Sequence, residues 1–148
     1  MASTNAFNNI LVTYVKPTKK ETAFNMGLSL AKTNNAKLSV VEFIPEEQPE
    51  FFFFKSKNNK KKESEQKHLV ENALKKFEEK AKQENIPLKT SFKSTESLVD
   101  SIIQYVESNK IDLLIVDHPH MTHSEETHYN DVVNAIHDEV NCNMLTLK

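Results

Sequence analysis

Two segments of the chain, Asn9 to Val15 (NILVTYV) and Ile111 to Val116 (IDLLIV), are apolar at nearly every position. A strand with one face in water alternates apolar and polar residues. A run without alternation, rich in β-branched side chains, has to be covered on both faces, which is the condition of a central strand in a parallel sheet. Any fold for this chain must therefore supply cover on both sides of at least two strands.

The rest of the sequence supplies it. Leu38 to Ile44 (LSVVEFI) reads as a second strand stopped by Pro45, Ile86 to Lys93 as a short third strand with Pro87 at its start, and Met144 to Leu147 as the last. Between the strands, apolar residues recur at helical spacing. Ala23, Met26, Gly27, Leu30 and Ala31 define a first helix reaching about Thr33, with Asn34 and Asn35 as its stop. Val70, Ala73, Leu74, Phe77 and Ala81 define a helix from about Glu63 to Asn85. Val99, Ile102, Ile103 and Val106 define a third, entered through Ser94 to Ser97, and Val132, Val133, Ile136 and Val140 a fourth.

Strands alternating with helices imply right-handed βαβ crossovers, hence an α/β three-layer sandwich: a five-stranded parallel sheet with helices on both faces. A flavodoxin-like strand order, 3-2-1-4-5, is expected, and 148 residues leave room for one domain, residues 1–148. Within it, residues 45–62 read as a variable Phe- and Lys-rich loop. Ligands of such sheets lie beyond the carboxyl ends of the strands where the order reverses. That point falls between the first and fourth strands, beside Tyr14, Val15 and the segment starting at Asp117.

Composition excludes several classes. A net charge of −2 argues against a nucleic-acid partner, because phosphate affinity draws on an excess of Lys and Arg. The one cysteine, Cys142, can form no internal disulfide, no apolar run is long enough to span a bilayer, and the polar start MASTNAFNN is unlike a secretion signal. A cytoplasmic protein is expected. Gly27 is the single glycine of the chain and falls inside a helix, so no glycine-rich loop can lay bare backbone against a phosphate group.

With these elements in place, the chain resembles the universal stress protein family. The segment NILVTYVKPTKKETAFNMGLSLAKTNNAKLSVVEFI matches the family's opening strand, helix and second strand, and IDLLIVDH with DVVNAIHDEVNCNMLTLK matches its fourth strand, last helix and dimer-edge strand. The resemblance implies the adenine nucleotide alpha hydrolase-like fold and a homodimer paired through Met144 to Leu147. It also implies a nucleotide site built from an acidic residue after the first strand and a G-x2-G-x9-G-[ST] loop after the fourth. Here the acidic position falls on Val15, the glycine positions on Asp117, His120 and Asn130, and the hydroxyl position on Asp131. Side chains and carboxylates in place of bare backbone disfavour a triphosphate. The expectation is a regulatory or protective binding protein of the non-ATP-binding type, with no cofactor. An ATP- or AMP-binding signalling protein with an atypical loop is the alternative.

Four histidines crowd the segment DHPHMTHSEETH, at His118, His120, His123 and His128, with Asp117, Glu125 and Glu126 among them. These ligand types suit Zn, Ni or Cu, so a transition-metal site is a further alternative to a solvated loop, and a histidine pH sensor another. Phe51 to Phe54 and the lysines of KSKNNKKK join an apolar patch to a cationic one. Packing on the domain or a dimer contact is favoured over membrane docking, which one short tetrad anchors weakly. Ser94, Thr95 and Ser97 suit either helix capping or an anion. No nucleophile with a partnering base emerges, so binding, with an unidentified protein partner, is expected rather than catalysis.

Overall fold

The computed structural model describes residues 6–14, 21–45, 52–118 and 122–147. Five strands, β1 (Asn9–Tyr14), β2 (Lys37–Pro45), β3 (Leu88–Thr95), β4 (Leu113–Asp117) and β5 (Asn143–Leu147), alternate with four helices, α1 (Thr22–Asn34), α2 (Phe52–Gln83), α3 (Leu98–Ser108) and α4 (His123–Glu139). The strands form one parallel sheet in the order β3-β2-β1-β4-β5. This is the expected three-layer sandwich.

Each face of the sheet has its own core. Ile10, Val12, Leu38, Val40, Leu113 and Ile115 face α1 and α2, where Phe24, Leu28, Leu74 and Phe77 cover them. Leu11, Val41, Phe43, Leu114 and Val116 face the other way, onto Ile102, Tyr105 and Val106 of α3 and Tyr129 and Ile136 of α4. The absence of alternation in β1 and β4 is thereby explained: odd and even residues are buried alike, in different cores.

Glycine scarcity leaves its mark at the junctions. Asn35, Asn85 and Lys110 take positive φ angles of 52°, 58° and 53°, each in a turn from a helix to the next strand. Asn35 is the predicted stop of α1, and its backbone N–H donates to the Ala31 carbonyl. Gly27 serves packing instead. A Cβ there would lie 2.6 Å from Val12 Cγ2 and 3.2 Å from Leu38 Cδ1, so the bare α-carbon lets α1 settle onto β1 and β2.

Two boundaries differ from the sequence reading. α2 starts at Phe52 and not near Glu63, so residues 52–62 of the expected irregular loop are helical. That stretch has no Pro or Gly to stop a helix, and its run of lysines has no apolar period that would reveal one. α4 starts at His123, well inside the segment read as polar loop, because Thr122 caps it. Phe51 lies outside the described residues.

Candidate functional site

At the carboxyl edge of the sheet the register draws five residues into one row. Tyr14 pairs with Glu42, and Glu42 with Phe92. Thr13 pairs with Val116, which brings Asp117 beside Tyr14, and Asp117 pairs with Leu147. Because side chains alternate between faces, Phe92, Glu42, Tyr14, Asp117 and Leu147 all point to the α1/α2 side. Two carboxyl groups thus flank a phenol at the point where strand order reverses.

The row is dry. Tyr14 and Asp117 are each 2% exposed and Glu42 is 4% exposed. Aromatic rings close it from above: Tyr14 stacks on Phe77 at 6.2 Å between centroids, and Phe77 on Phe24 at 4.2 Å. Burial raises the Glu42 carboxyl from about 4.5 to about 7, so near neutrality it holds a proton about half the time. Burial also pushes the Tyr14 hydroxyl well above the usual phenol range, helped by the charges of Asp117 and Glu42 and partly offset by the backbone at Phe24. That hydroxyl meets no partner at hydrogen-bonding geometry among the described residues.

On the opposite face, the Tyr129 hydroxyl donates to the Asp117 carbonyl oxygen at 2.7 Å, tying α4 to the end of β4. Burial and the Asp117 charge raise its pKa too. His118 meets the Tyr129 ring edge-on at 4.7 Å and approaches Glu126 Oε1 with Nε2 at 3.8 Å. The connection from β4 to α4 is confined to residues 118–122. The first turn of α4 is satisfied by its own residues: Glu125 N–H donates to Thr122 Oγ1 at 3.4 Å, Thr122 N–H donates to Glu125 Oε1 at 3.4 Å, and Glu126 adds a second carboxylate. A helix start that faces its own carboxylates repels anions.

Of the crevice residues proposed from sequence, Tyr14 and Asp117 come together. Asn130 and Asp131 do not join them; both are exposed on α4, Asp131 about 12 Å along the helix from His123 at 1.5 Å per residue. Val15 and His120 lie outside the described residues. Of the histidines, His118 follows β4 while His123 and His128 are on α4, and among the described residues no three His, Cys, Asp or Glu side chains are grouped to hold a metal ion. Thr95 and Ser97 act in capping: the Ser97 N–H donates to Thr95 Oγ1 at 3.1 Å, and Ser97 Oγ accepts from the Asp100 N–H at 3.4 Å. Cys142 is half-buried, with its thiol pKa raised by burial and then by Asp112.

Glu42 escaped the sequence reading, and so did the cap. In LSVVEFI a single Glu among apolar neighbours gives no sign of which face it takes when both are buried. Thr122-His-Ser-Glu125 did carry a signal, the S/T-x-x-E pattern of a capping box.

The fold and the row define a doubly wound α/β protein whose carboxyl sheet edge carries two buried carboxyl groups and aromatic rings. The chain belongs to the universal stress protein family, whose family model matches residues 6–148. Similar solved structures agree on the fold. The universal stress protein UspA from Lactobacillus plantarum is 16% identical with a TM-score of 0.75, over 96% of this chain and 98% of that one. A universal stress protein in complex with cAMP is 15% identical with a TM-score of 0.66, over 96% and 97%. The universal stress protein from Archaeoglobus fulgidus in complex with dAMP is 11% identical with a TM-score of 0.61, over 96% and 98%. No curated protein sequence matches the chain. Among the described residues no helix is long and apolar enough to cross a membrane.

Proposed function

We propose that this chain is a cytoplasmic regulatory or protective binding protein of the universal stress type that does not bind ATP, works as a homodimer and catalyses no reaction. The observation that carries the reading is the start of α4. A phosphate-binding loop after β4 needs a long, bare connection and a helix start with free amides. Here the connection is residues 118–122, and the helix start is capped by Thr122 and Glu125 with Glu126 beside it. Buried carboxyl groups of Glu42 and Asp117 stand at the strand ends on the adjacent side.

Dimerisation through β5 is supported by its place at the edge of the sheet, where among the described residues no strand pairs with its outer side. A second reading, adenine-nucleotide binding in another geometry, is favoured by the relatives determined with cAMP and with dAMP. A metal held by His118, His120, His123 and His128 is a third. Native mass spectrometry of the protein as purified, with elemental analysis of the same sample, separates them. The leading reading expects a bare dimer; a retained nucleotide mass or stoichiometric Zn, Ni or Cu supports the others, and a monomer at micromolar concentration removes the dimer.

A further inference from the structure

The amino-terminal edge of the sheet, opposite the acidic row, carries a cleft of about 520 Å³. That volume lies within the range of small-molecule sites, roughly 300–1,000 Å³. Three lysines from three elements line it: Lys37 at the start of β2, Lys89 at the start of β3 and Lys110 in the turn from α3 to β4. Among the described residues no Asp or Glu lines it.

The register explains the convergence. Ser39 pairs with Lys89, so Lys37, two residues before Ser39, shares its face with Lys89 on the neighbouring strand. Strand spacing and rise put their β-carbons roughly 8 Å apart, a gap that two long side chains can close around one anion. Lys110 is delivered by the backbone. Its φ of 53° is left-handed, where lysine pays about 1 kcal/mol or more and asparagine much less. The comparable turns use Asn35 and Asn85. The Lys110 carbonyl is held by Asn9 Nδ2 at 3.1 Å, which fixes the turn against β1.

The described lining of the cleft is net positive. Among the described residues none of the three lysines is in an ion pair. The nearby Asp112 carboxylate is taken up by the Asn8 and Asn9 amides, at 2.7 and 3.0 Å. Three ammonium groups around one concavity raise the local potential and concentrate anions there.

We propose that this cleft is a binding site for a small molecule carrying two or more negative charges, a phosphate ester or a polycarboxylate. Lys37, Lys89 and Lys110 neutralise the charge, and the Ser39 hydroxyl offers a hydrogen bond from the cleft wall. The site is independent of whatever occupies the carboxyl edge. Ammonium groups act as point charges, so they accept either anion chemistry.

Amide chemical shifts of the full chain, titrated with sodium pyrophosphate and separately with citrate at constant ionic strength, test this. The site predicts saturable shifts centred on Lys37, Ser39, Lys89 and Lys110. Loss of two charge-assisted contacts in K37Q/K89Q should weaken binding by about tenfold or more, while K75Q/K82Q, which removes two exposed α2 charges, should leave it unchanged. A stronger response to pyrophosphate assigns a phosphate ester, and a stronger response to citrate a polycarboxylate. Shifts that follow ionic strength, spread over lysines generally, or weaken equally in both variants overturn the proposal.

Discussion

Glu42 joins the buried edge of β2 to the electrostatics of the crevice, and its titration gives the account a handle at the scale of one residue. Its carboxyl titrates near 4.5 when exposed and near 7 when folded. Below the first value it is protonated in both states and has no effect on stability. Between the two, the unfolded chain releases a proton that the folded chain keeps, so the unfolded state binds fewer protons and stability falls as pH rises. Above 7 the loss is complete, on the order of 3 kcal/mol at about 1.4 kcal/mol per pH unit. Glu42→Gln removes the ionisation, so the variant should match the wild type at pH 4 and exceed it at pH 8 in urea unfolding. Parallel pH profiles for the two proteins would show that Glu42 titrates as an exposed carboxylate. None of this was legible in sequence, because periodicity assigns faces only where one of them is wet. What the sequence did show without geometry is that Gly27 is the single glycine, so no glycine-rich loop follows β4.

Among the elements, those with an apolar period were readable and those without one were not. β1, β4 and the inward face of α3 announced themselves through Ile10, Leu11, Leu114, Ile115 and Ile102, all buried, whereas on α1 Met26, read as inward, is 38% exposed and Phe24 and Leu28 fill the core beside Ala31. Residues 55–62 of α2 and 123–128 of α4 are polar or basic, so pattern gave no warning. Only the Thr122–Glu125 cap could have moved the α4 boundary. The contact of α1 with the sheet yields a prediction at this scale. Ala is about 1 kcal/mol better than Gly in a helix interior, yet overpacking a tight core costs about 1–3 kcal/mol. Val12 Cγ2 at 2.6 Å belongs to a stiff, fully buried side chain that cannot swing away, so the second effect wins. Gly27→Ala should therefore lower Tm by a few degrees in calorimetry. A Tm that is unchanged or raised would mean that α1 is free to lift from β1.

For the molecule as a whole, a five-stranded parallel sheet carries buried carboxyl groups, Glu42 and Asp117, at its carboxyl edge and a lysine-lined cleft at its amino-terminal edge. Strand order and layers followed from the alternation of apolar runs and amphipathic helices, because βαβ handedness leaves few alternatives. The site followed only in part. Tyr14 and Asp117 lie side by side at the switch point, whereas Asn130 and Asp131, counted along a loop, lie on α4. The acidic row and the self-capped α4 make one demand on solution behaviour. Calorimetric titration of the purified protein with Mg-ATP at pH 7.5 should give no saturable heat up to millimolar nucleotide. A one-to-one isotherm in the micromolar range would contradict the account at its centre.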